Sequence, residues 1–142
     1  MNARLRLAVR IALALGFVVD AGVGVLCIFG QPLLAPLLGV PVRDPAITAF
    51  LGGELIVASA VYVLAFLDPE RRRVLLWICA LDQTLGVVIP AFQIAAGHVD
   101  ATLQTLGPMP LQLVLVALYV AGAATGGTAG RVGRHDQSKE PL

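Results

Sequence analysis

The stretch from Leu7 to Phe29, LAVRIALALGFVVDAGVGVLCIF, decides how the rest of the chain is read. Within it only Arg10 and Asp20 carry charge. At about 1.5 Å of rise per residue, a helix of this length crosses the roughly 30 Å hydrocarbon core of a bilayer. Backbone N–H and C=O groups in hydrocarbon find no water, so a single spanning segment must satisfy them internally as a helix. A cleaved leader is the rival reading. The apolar stretch is too long for a leader core, Asp20 interrupts it, and no small-x-small cleavage signal is well placed.

Working outward, three further apolar runs follow, at 46–67, 74–96 and 103–125. None shows the short alternating strands of a membrane barrel. The predicted architecture is therefore all-α: a polytopic membrane four-helix bundle occupying residues 1–127, with helices at 7–29, 46–67, 74–96 and 103–125. Composition agrees. Of 142 residues 58% are hydrophobic and 13% charged, against about 25% charged in soluble domains. Mean hydropathy is +0.86.

The connections carry the expected punctuation. The 30–45 linker holds Pro32, Pro36, Pro41 and Pro45 yet stays apolar, and is read as an interfacial segment with one short helix. Asp68-Pro69-Glu70-Arg71-Arg72-Arg73 is a tight polar turn. Pro108 and Pro110 disturb the start of the fourth run, whose regular helix is expected from about Leu111. Residues 128–142 read as a disordered cytoplasmic tail.

Basic residues set the topology. Arg4, Arg6, Arg10, Arg71, Arg72, Arg73, Arg131, Arg134 and Lys139 fall on one side, and Arg43 alone on the other. The positive-inside rule makes the shared side the cytoplasm, giving an N-in/C-in protein of the cell inner membrane. Trp77, one turn past Arg73, fits an interfacial anchor. A net charge of +1 offers nothing for nucleic acid, so the bilayer is the expected partner, together with a homo-oligomer or a larger membrane complex.

The polar residues inside the runs are the candidate site. Asp20, Glu54 and Asp82 fall at similar depth, and helical spacing stacks each on small or polar neighbours: Gly16-Asp20-Gly24, Glu54-Ala58-Tyr62 and Asp82-Gly86-Pro90. Intramembrane acids usually face a bundle interior. The three are expected to meet near the midplane, with Tyr62, Gln83 and Gln93 as hydrogen-bonding neighbours. Arg10 or Arg43 would be their charge partners; failing that, the acids are protonated. A small hydrophobic or cationic ligand, a proton relay and a purely structural hydrogen-bond layer all fit this pattern.

Other chemistry finds less support. Cys27 and Cys79 sit near opposite ends of their helices, about 15 Å apart in depth, too far for a disulfide. No metal-ligand spacing, nucleophile set or cofactor motif is present, so no catalytic residue is assigned and the cofactor is unknown. Asp20-x-x-x-Gly24-Val25 is echoed by Asp82-x-x-x-Gly86-Val87, and the returning runs each carry a polar residue, Glu54 and Gln112, as in a duplicated hairpin.

The proline-rich apolar first loop, the Asp-Pro-Glu-Arg turn from Asp68 and the Trp77–Asp82–Gly86 stretch resemble the small four-helix bacterial membrane proteins grouped as DoxX-like or BphX-like. That resemblance covers about Arg6 to Thr125. It implies an accessory role, since some DoxX-like members accompany membrane oxidoreductases, and it transfers no functional residue. A small proton-coupled transporter is the remaining expectation.

Overall fold

A computed structural model of the chain describes residues 1–39 and 41–125. The expected tail at 128–142, with Arg131, Arg134 and Lys139, lies outside the described residues. Among those described there is no strand. The elements are α1 (Ala3–Phe29), a 3-10 turn (Gln31–Leu33), α2 (Leu34–Leu38), α3 (Pro45–Leu67), α4 (Arg73–Ala95), α5 (Leu103–Leu106) and α6 (Pro108–Ala124). α1, α3, α4 and the α5–α6 segment are each long and apolar enough to cross a membrane.

The helix ends are chemically specified. Asn2 accepts the amide of Leu5 at 2.8 Å, so α1 begins at Ala3, a turn ahead of the apolar run. Asp44 caps α3 by accepting from Ala46 and Ile47, with Pro45 at the first helical position. Pro108 opens α6 in the same way, so the fourth regular helix starts before Leu111 rather than at it. In the polar turn, the Arg72 guanidinium donates to the carbonyl of Leu64 at 3.0 Å, satisfying an orphan acceptor at the end of α3. Arg6 pairs with Glu70 at 2.6 Å and so joins the start of α1 to this turn. Trp77 is exposed on α4 one turn further in.

α1 packs most extensively on α3, and α4 on α6; the two hairpins meet through α1–α6 and α3–α4. The α1–α3 crossing is close because two glycines face each other. A Cβ at Gly52 would sit 2.6 Å from the carbonyl oxygen of Gly24, and one at Gly24 would sit 2.8 Å from that of Gly52. Gly53, its neighbour, faces open space.

The buried core is Val9, Ala12, Leu13, Tyr62, Ala65, Leu76, Cys79, Ala80, Leu115, Tyr119 and Ala123. All of these lie in the half of the bundle nearer the arginine turn. The half nearer α2 buries Gly24, Cys27, Leu34 and Gly52 and holds the larger cavities. The outer surface is apolar, with Val18, Val57, Val74 and Phe92 all exposed, as suits contact with acyl chains. Cys27 and Cys79 are both buried and free.

Candidate functional site

Where the packed core gives way to the cavities, polar side chains from three helices meet. α4 contributes Asp82 and Gln83 on consecutive residues, so they leave the helix about 100° apart. Gln83 points inward and is 1% exposed, while Asp82 lies at the α3–α4 seam and is half-buried. α3 supplies Tyr62, whose hydroxyl donates to Asp82 Oδ2 at 2.5 Å. Gln83 Nε2 donates to the Tyr62 hydroxyl oxygen at 2.7 Å and lies 3.4 Å from Asp82 Oδ2 and 3.5 Å from Asp20 Oδ1. Asp20 of α1 is 8% exposed. The carboxamide of Gln83 thus bridges the two aspartates.

This cluster is seated on aromatic support. Tyr62 and Tyr119 contact edge to face with ring centroids 6.1 Å apart. The Tyr119 hydroxyl donates to the carbonyl of Ala12 at 2.7 Å. Both rings fill the space beside Gly16, where a Cβ would overlap the Tyr62 ring and the Tyr119 hydroxyl. Gly16 is therefore what lets the two tyrosines reach α1.

On the other side of the cluster lies a cavity of about 440 Å³, lined by Asp20, Asp82, Gln83 and Gln112 together with Val19, Val23, Leu55, Leu85, Gly86, Ile89 and Pro90. A second cavity of about 460 Å³ continues toward α2. The two share Val19, Val23, Gly86, Ile89, Pro90 and Gln112, and the second extends to Leu38, Gln93, Val99, Gln104 and Thr105. It adjoins a further depression lined by Pro41, Arg43, Gln93, His98 and Val99. Polar groups thus mark the deep end and the mouth, with apolar walls between.

Among the described residues, three buried side-chain polar atoms have no hydrogen-bond partner: Asp20 Oδ2, Gln83 Oε1 and Gln112 Oε1. All three are acceptors, and all three belong to residues lining the deep cavity. Pro90 adds a fourth acceptor of a different kind. It has no N–H, so the carbonyl of Gly86 one turn earlier lacks its helical donor. Buried acceptors without donors cost free energy, which a ligand carrying donors would recover.

The structure separates residues that the sequence groups together. Tyr62 and Gln83 join Asp20 and Asp82, but Glu54 does not. It is exposed on the outward face of α3, beside Phe50, Leu51 and Val57. The expected three-acid layer is therefore an Asp20–Asp82 pair. The reason is rotational: Tyr62 and Gly52 set which face of α3 is buried, and Glu54 falls outside that face. Gln93 sits near the mouth, accepting from or donating to His98 Nδ1 at 2.9 Å, away from the acids. Neither expected charge partner reaches them. Arg10 lies over the Phe66 ring, 5.7 Å from its centroid, and Arg43 is at the mouth. Among the described residues the ion pairs are those of Glu70 with Arg6 and with the N-terminus. Among them, too, no group of three His, Cys, Asp or Glu side chains could hold a metal ion.

Two contributors escape the sequence reading of the site. Gln112 lines both cavities; its signal was its place opposite Glu54 in the hairpin echo. Tyr119 lies seven residues after Gln112 on α6, and a polar-tipped ring in an apolar run was its only mark. The echo itself does not carry over to burial. Asp82 is the motif partner of Asp20, yet Gln83 occupies the buried position. No protein-family model, no curated protein and no solved structure matches the chain.

Proposed function

We propose that the chain is an integral membrane protein of the inner membrane, with its arginine-rich end in the cytoplasm, whose work is to bind a small amphiphilic ligand in the cavity beside Asp20 and Asp82. One observation carries this reading: three partnerless acceptors belong to residues that line one apolar-walled cleft between the helices. A dry structural layer would pair its polar atoms. Here the internal network of Tyr62, Asp82 and Gln83 is made, and the acceptors left over belong to residues that line the cavity. The chamber has the size and mixed lining typical of small-molecule sites.

The test is a thermal-shift screen of small amphiphiles on detergent-solubilised protein, run in parallel on Val23→Phe. Val23 lines both cavities, so the larger ring occupies the chamber without entering the core. Compounds that raise the melting temperature of wild type and leave Val23→Phe unmoved support the reading. A screen in which every hit stabilises both proteins equally contradicts it.

A second reading is favoured by Glu54. A carboxyl on an outward apolar face at mid-depth is costly in lipid and is relieved by a partner helix. This supports an accessory subunit docked through α3, the role implied by the DoxX-like resemblance. A photo-crosslinker at Val57, which is 72% exposed beside Glu54, tests it in intact membranes. A discrete adduct lost in Glu54→Leu supports docking, and lipid adducts alone contradict it.

A further inference from the structure

We infer that the ligand is a small organic cation, an ammonium nitrogen on an apolar body, with the nitrogen held by Asp20, Gln83 and Gln112 and the body lying along Val19, Val23, Ile89 and Pro90. The inference rests on the ligand-cavity reading and deepens it.

The sign of the charge follows from what lines the chamber. Its deep end presents the carboxyl groups of Asp20 and Asp82 beside the carboxamides of Gln83 and Gln112, and neither of the two connected cavities is lined by a lysine, arginine or histidine. An anion would meet two carboxyl groups and no cationic side chain. A neutral ligand with one hydroxyl would satisfy a single acceptor. An ammonium group brings up to three N–H donors, and the residues lining the cavity carry three buried oxygens without a partner, on Asp20, Gln83 and Gln112. Gly86, whose carbonyl has no N–H donor at Pro90, lines the same cavity.

Size excludes the simplest cations. About 440 Å³ is many times the roughly 30 Å³ occupied by one water, so a bare metal ion or hydronium would leave an apolar void. The donor set also lacks the cluster a divalent metal needs. An organic cation fills the chamber and places its charge at one end.

Gln112 is the adjustable element. It is half-buried, and its carboxamide packs directly on Gly86, where a Cβ would collide with it. Gln112 lines both cavities, so a movement of this flexible side chain would change the space in each.

The experiment uses the full chain in phosphatidylcholine nanodiscs and two fluorescent probes. One is dansylcadaverine, a primary amine on an aromatic body; the other is its N-acetyl derivative, which has lost the charge. Binding is read against empty discs. Wild type is expected to prefer the amine by about tenfold or more. Asp20→Asn should abolish that preference while keeping the melting temperature near wild type. Gln112→Leu, away from the Tyr62 network, should weaken the amine several-fold and serves as the second variant if Asp20→Asn does not fold. Equal binding of both probes, unchanged in Asp20→Asn, would overturn the cation inference and leave the cavity reading standing. Binding of neither probe above empty discs also overturns the inference, and the Val23→Phe screen then judges the cavity reading by itself.

Discussion

The Tyr62 hydroxyl donates to Asp82 Oδ2 at 2.5 Å while accepting from Gln83 Nε2 at 2.7 Å, so a single phenol ties α3 to two residues of α4. These helices share a modest contact, and this bond is their principal polar link. Tyr119 makes a different kind of bond, to the carbonyl of Ala12. Hydrogen bonds between membrane helices average about 0.6 kcal/mol and reach about 1.7 kcal/mol. Tyr62→Phe strips both Asp82 and Gln83 of a partner and should fall at the upper end. Tyr119→Phe should cost near the average. Denaturation in mixed micelles compares the two; equal losses would show that the Tyr62 network contributes no more than one ordinary bond.

Adjacent glycines on α3 offer a second test. Gly52→Ala places a methyl 2.6 Å from the Gly24 carbonyl oxygen and 2.7 Å from Cys27 Cβ. Backbone cannot move aside cheaply, so a loss of about 1–3 kcal/mol is expected. Gly53→Ala meets nothing within 4 Å and should be neutral or gain up to about 1 kcal/mol from helix propensity. Thermal unfolding of the two variants should move in opposite directions or differ by several degrees.

The fold was largely legible in the sequence, because hydropathy and length alone dictate four long apolar helices in a chain with so few charges. Half of the site was legible too. Asp20, Asp82, Tyr62 and Gln83 stood out as polar groups in apolar runs. What could not be read was rotation about each helix axis. An apolar exterior and an apolar core differ little in composition, so nothing in the α3 sequence told the Tyr62 face from the Glu54 face. The same lack of contrast hid Gln83 as the buried neighbour of Asp82. The role of Gln112 depended on Gly86 lying across from it, a contact between helices far apart in the chain.

Glu54 should be silent in the isolated protein. Its side chain is exposed and bonds to none of the other described residues, so Glu54→Gln should shift stability by no more than about 0.5 kcal/mol. Unfolding of the purified protein in detergent checks this. A large loss would place Glu54 inside a contact within the chain rather than on its lipid face.

The central claim is an open chamber within the membrane, entered from the α2 end and sealed below by the tyrosines. Thiol accessibility along α6 tests it most directly. In a background carrying Cys27→Ser and Cys79→Ala, Gln112→Cys places a thiol on the chamber wall. Leu115→Cys places one about 4.5 Å further along the helix, at a site 1% exposed in the core. With a membrane-impermeant maleimide in oriented vesicles, Gln112→Cys is expected to label from the α2 side alone, and Leu115→Cys from neither side. Labelling of both positions, or of Gln112→Cys from the arginine side, would contradict a one-sided chamber; failure of Gln112→Cys to label from either side would contradict its being open at all.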